Sequence, residues 1–323
     1  LLSNISATTV NLTTPRDAGE IFKTQTGFGV VKRGNYAMEP VLRGFKYEQL
    51  NIQIDGGLKS TAACPNRMDP AISQISPDEI EKVEIIKGPY SVRHGASVGG
   101  VINIISKKPY PSDKTIVKGS IEGGYETNGE NLYSNLNLQL IKKKYDVTIN
   151  SSFKDFGNYK SGNGQEIASS FSRTGYSIKL GYNPKQNQRL QLSWRQGFAK
   201  DVLHAGLPMD ADKDNSSMLS LDYYVTNVSK KILAFKTKLY GSFADHVMSN
   251  KNRPNTKMVD AVSTTDASVL GGRAEITLKA GESDLLYAGI DASLTKKDGI
   301  RDRTVYKNHC ADPPAVFDPP KQF

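Results

Sequence analysis

Apolar and polar residues alternate over most of the chain after residue 114, and a period of two residues predicts β-strands rather than helices. In the segment 232–246, Leu239 falls on one face, whereas Lys238 and His246 fall on the other. An apolar outer face and a polar inner face are what a membrane barrel with a wet interior needs. Nine such segments of about 11–15 residues occur, which is long enough to cross a membrane. They are 115–126, 131–141, 144–155, 172–183, 188–199, 217–227, 232–246, 269–279 and 284–297.

The connections between these segments alternate between short and long. Tight turns are predicted at 142–143, 184–187 and 281–284. Long polar loops are predicted at 156–171, 200–216 and 247–268. Short turns at one end and long loops at the other are typical of outer-membrane barrels. A soluble β-sandwich, the less favoured alternative, would have shorter strands and no such asymmetry.

Residues 1–110 follow a different pattern, with short strands separated by glycine turns. A strand is predicted at 50–54 before an Asp-Gly turn, and a single helical turn at 77–82 leads into a strand at 83–87. A turn of small residues after His94 leads into a buried strand. We therefore predict an N-terminal α+β domain over residues 1–110 and a partial all-β membrane barrel over residues 111–323.

Composition narrows the class of protein further. The chain of 323 residues has a mean hydropathy of −0.46 and no apolar run long enough for a transmembrane helix. The net charge of +9 is spread over strands and turns, so we interpret it as solvated surface and expect no nucleic-acid partner. The chain starts at Leu1 without a signal peptide, which we expect to be absent or already removed. Cys64 and Cys310 are too few for a disulfide scaffold but could form one bridge.

The first 110 residues resemble the plug domain of TonB-dependent outer-membrane receptors. The matching segments are 41–45, 54–56, 80–89 and 90–104. The resemblance implies a Gram-negative outer-membrane location in lipid, a barrel of 22 antiparallel strands with the plug in its lumen, and energy from the TonB–ExbB–ExbD complex. Nine strands cannot close around a plug, so we expect this chain to be part of a longer protein. No TonB-binding segment is recognisable before Leu1.

Two pairs of soft ligands stand far apart in the sequence. Cys64 and Met68 would share one face if their segment forms a helical turn, and His246 and Met248 are two residues apart. Thiolate and thioether groups favour Cu(I). Both pairs resemble the copper-binding OprC/NosA branch of the family, in which a CxxxM from the plug and an HxM from a barrel loop form the metal site. Residues 208–210, Asp214 and 221–223 extend this resemblance, which implies a copper site.

Strand counting supports the same grouping. If the first barrel strand runs outward, so does the seventh, and its alternation then points His246 into the lumen near the extracellular end. Met248 would follow if the strand continues. The segment that carries Cys64 and Met68 follows the Asp-Gly turn of the plug, where loops face outward in this family. The four side chains could thus meet above the plug and hold Cu(I) or Cu(II), with Cys64 as the strongest ligand.

Other readings of these residues remain open. Cys64 could pair with Cys310 in an oxidising compartment. His94 is expected to be structural, and His204 and His309 could be auxiliary metal contacts. Three methionines could line a path for soft metal or simply pack; they are Met209, Met218 and Met258.

The expected function is therefore import of copper by an outer-membrane receptor. A ferric-siderophore receptor and a surface binding protein without transport are the alternatives. The carboxylates Asp69, Asp78, Glu79, Glu81 and Glu84 do not form a recognisable catalytic pair, and no nucleophile elbow, P-loop or dinucleotide motif occurs. We expect no enzyme activity.

Overall fold

β-Strands dominate the computed structural model, which describes residues 2–6, 16–87, 92–95, 97–282, 284–308 and 315–316. Within these ranges, no helix has the length and apolar character that crossing a membrane requires. The strands form two main sheets, one of five strands and one of ten. This confirms the predicted all-β architecture.

The five-stranded sheet lies in the N-terminal part of the chain. Its strands run in the order β1-β6-β7-β4-β5, with β4 parallel to β7 and the other neighbours antiparallel; β2 and β3 form a separate hairpin. The strands are β1 Leu2–Ser6, β2 Phe28–Lys32, β3 Met38–Leu42, β4 Leu50–Ile54, β5 Leu58–Lys59, β6 Ile80–Lys87 and β7 Gly100–Ser106. We call the described residues up to Ser106 the plug.

The helical component of the plug consists of 3₁₀ turns. They are Glu20–Thr24, Tyr47–Gln49, Ala71–Gln74, Pro77–Glu79 and Val92–His94. The α-helices that an α+β plug would contain are not found among the described residues. At the turn predicted for 77–82, β6 already starts at Ile80, and this leaves room for a single 3₁₀ turn.

The ten-stranded sheet is formed by the long strands that follow the plug, and we call it the wall. All its neighbours pair antiparallel, and its order follows the chain from β8 to β19, with β11 and β12 set apart as a small hairpin. The strands are β8 Ile116–Glu126, β9 Asn131–Ile141, β10 Tyr145–Phe156, β11 Tyr159–Lys160, β12 Glu166–Ile167, β13 Phe171–Tyr182, β14 Gln188–Val202, β15 Asp210–Thr226, β16 Ile232–Ser249, β17 Val259–Lys279, β18 Leu285–Asn308 and β19 Ala315–Val316. Each of the nine predicted strands corresponds to one long strand of the wall. The predicted division at residue 110 falls between β7 and β8 and stays a prediction.

Two predicted loops are shorter in the structure, and those predictions are wrong. β15 starts at Asp210 rather than at 217, and β17 starts at Val259 rather than at 269. The connections are therefore 203–209 and 250–258 instead of 200–216 and 247–268. The first residues of β15 are almost all polar, and the few apolar residues at the start of β17 do not alternate regularly, so both stretches lack the hydrophobic pattern on which the prediction depended. Backbone pairing alone continues the strands there.

The two faces of the wall differ as the alternation predicts. On β16, Leu239 is 60% exposed, whereas its neighbour Lys238 is 5% exposed. The outer face presents a band of exposed aliphatic and aromatic residues, which suits lipid. The inner face packs on the plug.

The plug is held to the inner face of the wall along several strands. Glu79 of the plug pairs with Arg195 on β14 at 2.6 Å and accepts a hydrogen bond from Asn150 on β10 at 3.3 Å. Arg93 pairs with Glu275 on β17 at 2.7 Å. Since contacts reach from β10 to β17, the wall curves around the plug. The candidate site lies in this interface.

Candidate metal centre

The segment that carries Cys64 and Met68 is a β-turn rather than the helical turn considered from sequence. The N–H group of Arg67 donates to the carbonyl of Cys64 at 2.9 Å, and Arg67 has a left-handed φ of 57°. The Asp69 carboxylate accepts from the N–H groups of Ala63 at 2.6 Å and Cys64 at 3.0 Å. The turn thus folds back on itself. Cys64 and Met68 are both buried, at 1% and 2% exposure.

Arg67 anchors this turn through ion pairs with residues from other parts of the plug. Its guanidinium donates to the two carboxylate oxygens of Glu39 at 2.5 and 3.1 Å and to Glu48 at 2.7 Å, and it lies 5.1 Å from the centre of the Tyr47 ring. A left-handed conformation costs an ordinary residue roughly 1–2 kcal/mol. The ion pairs offset that cost because Glu39 is buried and has its charge neutralised here.

His246 and Met248 stand on the same face of β16, two residues apart. Because β16 continues to Ser249, Met248 lies on the strand and not in a loop. Both side chains point to the plug and are fully buried. On the neighbouring strand, Asp214 is the residue directly opposite His246.

The two soft pairs meet where plug and wall touch. The Cys64 Sγ and the Met248 Sδ lie 3.8 Å apart. His246 lies two residues before Met248 on the same face of β16. Met68 belongs to the same buried cluster as Cys64 and Met248. Two sulfur ligands on a tetrahedral metal with bonds of about 2.3 Å, the length of a zinc–thiolate bond, would lie about 3.8 Å apart.

Two carboxylates that sequence reasoning did not assign to the site border it. One oxygen from each of Asp69 and Asp214 and one ring nitrogen of His246 lie within 4.8 Å of one another. Burial, reinforced by the charge of Asp214, raises the pKa of Asp69 to about 7. Asp214 accepts a hydrogen bond from the Tyr36 hydroxyl at 2.6 Å and faces the Nδ1 of His246 at 3.4 Å.

The carboxylates and the sulfur atoms of the site differ in the hydrogen bonds that they already make within the protein. Both oxygens of Asp69 accept backbone N–H groups, and both oxygens of Asp214 have side-chain partners. The sulfur atoms of Cys64 and Met248 have only weak contacts by comparison. The available donors are therefore mainly soft, and soft donors favour Cu(I).

The remaining predicted contacts are spread more widely. His204 is 2% exposed in the connection 203–209, and burial, with the nearby His246, lowers its pKa to about 4. Met209 joins the cluster of Cys64 and Met248, whereas Met218 packs from β15 against the core of the plug and Met258 is half exposed. Of the three methionines, Met209 is the one beside the soft ligands.

Other side chains singled out from sequence lie elsewhere or outside the described ranges. The carbonyl of His94 accepts hydrogen bonds from Asn51 and Gln53 at 2.7 Å each, in keeping with a structural role. The Cys64 thiol is free among the described residues. Cys310 and His309 lie outside those residues, and so does the predicted pairing of Cys310 with Cys64.

Residues 2–101 match the family model described as TonB-dependent Receptor Plug Domain. Among curated proteins, the chain is 29% identical over 114 residues to the ferric enterobactin receptor PirA of Pseudomonas aeruginosa, covering 29% of this chain and 14% of that protein. It is 26% identical over 156 residues to the ferric aerobactin receptor of Klebsiella pneumoniae, covering 46% of this chain and 20% of that protein. These alignments therefore cover a minor part of either relative.

Solved structures extend the likeness to nearly the whole chain. The copper transporter OprC superimposes with a TM-score of 0.83 at 24% identity, over 95% of this chain and 47% of that one. The FrpB iron transporter from Neisseria meningitidis gives a TM-score of 0.75 at 15% identity, over 94% and 49%. The chain thus spans about half the length of these proteins, and at such identities the likeness concerns the fold. Residues 2–101 thus match the plug domain of TonB-dependent receptors, and the fold of the chain is that of part of such a receptor.

Proposed function

We propose that this protein binds copper through Cys64, Met68, His246 and Met248 and takes part in its import across the outer membrane. The observation that carries the proposal is the 3.8 Å contact between the sulfur atoms of Cys64 and Met248 beside the buried His246. One thiolate, two thioethers and one imidazole suit Cu(I) and can accept Cu(II). The metal is the cargo of the receptor.

The division of the ligands between two bodies supports import rather than permanent storage. Cys64 and Met68 belong to the plug, whereas His246 and Met248 belong to β16 of the wall. A plug movement of a few ångströms would separate the two pairs and lower the affinity. We propose that the TonB–ExbB–ExbD complex drives this movement, as the match to the TonB-dependent plug domain suggests. Receptors and transporters make up this family, and we expect no enzyme activity.

A ferric-siderophore receptor is the second candidate function. The two curated relatives named above are receptors for ferric enterobactin and ferric aerobactin. Such a receptor must hold a bulky iron chelate, and a buried sulfur pair offers no advantage for that task. A third candidate, a surface binding protein without transport, shares the site but not its coupling to energy. Copper uptake that requires the proton-motive force would argue against it.

Metal analysis of the full-length receptor, purified in detergent after exposure to copper, zinc and iron, tests the binding step. We expect near-stoichiometric copper in the wild type and its loss in Cys64→Ala and His246→Ala. Met258→Ala is a matched control, because Met258 is half exposed in the connection 250–258. Absence of copper, or copper that both site variants retain, would contradict the proposal and favour the siderophore receptor.

A further inference from the structure

Asp214 lies between a plug residue and the proposed histidine ligand. Its Oδ2 accepts the hydroxyl proton of Tyr36 at 2.6 Å, and its Oδ1 lies 3.4 Å from the Nδ1 of His246. All three side chains are at least nine-tenths buried. Tyr36 is on the plug, whereas Asp214 and His246 are paired residues of β15 and β16.

This arrangement determines which ring nitrogen of His246 is available. A neutral imidazole has one N–H group and one lone pair, and a carboxylate beside Nδ1 favours the tautomer with the proton on Nδ1. The lone pair then lies on Nε2. Nε2 is buried and has no hydrogen-bond partner among the described residues. A buried nitrogen without a partner is costly unless something else uses it.

We propose that Asp214 is a positioning residue that holds His246 in the Nδ1–H tautomer, so that Nε2 is the nitrogen offered to the metal, and that Tyr36 in turn orients Asp214. This inference rests on the proposed function. Metal-binding histidines commonly donate their second ring N–H to a carboxylate, and losing that partner typically lowers metal affinity about 10- to 100-fold.

Neighbouring charged groups do not substitute for Asp214. The two oxygens of Asp69 are already occupied by the N–H groups of Ala63 and Cys64. Asp245, adjacent to His246 in sequence, points to the other face of β16, is partly exposed and pairs with Lys213. Asp214 is therefore the carboxylate that can set the tautomer.

The geometry also links the histidine to the position of the plug. When the plug moves, the Tyr36 hydroxyl leaves Asp214 together with the thiol and thioether of the plug. Asp214 then loses a partner at its Oδ2 and can turn away from Nδ1. Plug displacement would thus weaken the wall ligand His246 at the same time as it removes the plug ligands.

Asp214→Asn gives the sharpest test, because the amide keeps the size of the carboxylate but has one acceptor atom. Within the described part of the chain, Asp214 is the acceptor that the Tyr36 hydroxyl uses. We therefore expect the amide oxygen to accept from Tyr36 and the NH₂ group to face Nδ1. His246 must then place its proton on Nε2, which blocks the nitrogen that would bind the metal. Copper affinity should fall about 10- to 100-fold.

Adding a second substitution distinguishes control of the tautomer from a general disruption of the site by the first one. In Asp214→Asn/Tyr36→Phe, nothing fixes the amide, so its oxygen can turn to Nδ1–H and restore the binding tautomer. We expect the double variant to bind copper more tightly than Asp214→Asn alone, and Tyr36→Phe alone to cost less than about tenfold. Asp222→Asn is the matched control, since Asp222 is another inward carboxylate of β15 that pairs with Lys238.

The measurements are Cu(I) affinity by competition with a chromophoric chelator, and ¹⁵N NMR of the histidine rings in the metal-free receptor, with His246→Ala to assign the signals. Recorded at a pH at which the imidazole is neutral, the spectra should show Nδ1–H in the wild type and Nε2–H in Asp214→Asn. An unchanged tautomer, an affinity equal to that of Asp222→Asn, or a double variant weaker than Asp214→Asn would overturn the inference. Because the tautomer is read without metal, it remains testable even if the wild type binds no copper, which would contradict the proposed function instead.

Discussion

The sulfur atoms of Cys64 and Met248 lie 3.8 Å apart although 184 residues separate them in the chain. Cys64 is held in a turn of the plug by hydrogen bonds to Asp69, and Met248 is held on β16 by its ladder with β15 and β17. Neither sulfur depends on the other for its position. The soft pair is therefore formed when the plug sits against the wall.

The ligands should contribute unequally to copper affinity. A thiolate carries a negative charge and a thioether does not, so Cys64→Ser should weaken Cu(I) binding by at least about a hundredfold, or about 2.7 kcal/mol. Met248→Leu keeps the apolar packing and should cost about tenfold. Chelator competition on the purified receptor measures both values. Equal losses in the two variants would contradict a thiolate-dominated site, and Met258→Leu should leave the affinity unchanged.

The Arg67 ion pairs should control the shape of the Cys64 turn. Arg67→Ala leaves Glu39 buried without its partner and should destabilise the plug by about 3 kcal/mol, because an unpaired buried charge is poorly solvated. The double variant Arg67→Ala/Glu39→Gln should recover part of that loss. Faster protease cleavage within the plug and a lower copper affinity would report the effect.

Arg43→Ala is the control for the Arg67 substitution. Arg43 also has a left-handed φ, of 51°, but its side chain is exposed. It should therefore change neither cleavage nor affinity. Equal behaviour of the two variants would mean that backbone strain, and not the buried ion pair, determines the stability of the turn.

Asp17 should make the stability of the plug depend on pH. Burial raises the pKa of its carboxyl from 3.8 to about 6, against the opposing effect of Lys154. The folded plug thus holds this proton more tightly than the unfolded chain does. The contribution of Asp17 is largest below about pH 3.8 and is lost as the pH rises through about 6, on the order of 3 kcal/mol. Thermal unfolding of the purified receptor at several pH values measures this change.

Asp17→Asn should remove the part of the pH dependence that Asp17 contributes, because the amide cannot lose a proton, and leave the part that Asp69 contributes. Asp113→Asn is the control, since Asp113 is exposed and pairs with Lys143 at the surface. It should leave the profile of the wild type intact. A wild-type profile that is already flat between pH 4 and 7 would refute the role of Asp17.

The wall could be predicted well from the sequence where one face is exposed and apolar and the other is buried against the plug. Leu239 and Lys238 differ in hydropathy because one faces outward and the other faces the plug, and this contrast located β16. The first residues of β15 and β17 lack this regular contrast, so backbone pairing reveals them instead. The errors in the loops 200–216 and 247–268 have this origin.

The candidate site could be predicted in part. Spacing and family resemblance named Cys64 and His246, because those residue types are chemically distinctive. The role of Asp214 depends on its register opposite His246, and that of Tyr36 depends on where the plug rests against the wall. No local sequence pattern predicts the pairing of Asp214 with His246 or the contact between Tyr36 and Asp214. Pro65 and Asn66 suit the β-turn found between Cys64 and Arg67, a signal that was available but pointed away from a helical turn.

An arginine introduced on the outward face of the wall should cost more the closer its position lies to the middle of the membrane. Leu239 lies on β16 opposite Gly272 of β17, whereas Val262 pairs with Ser249 at the last residue of β16. Leu239→Arg should cost about 2–4 kcal/mol, because the guanidinium would face the hydrocarbon core, and Val262→Arg should cost about 0–1 kcal/mol near the interface. The amount of folded receptor in outer membranes, read from heat-modifiable mobility on gels, compares the two. A loss of assembly with Val262→Arg but not with Leu239→Arg would contradict this placement of the wall in the membrane.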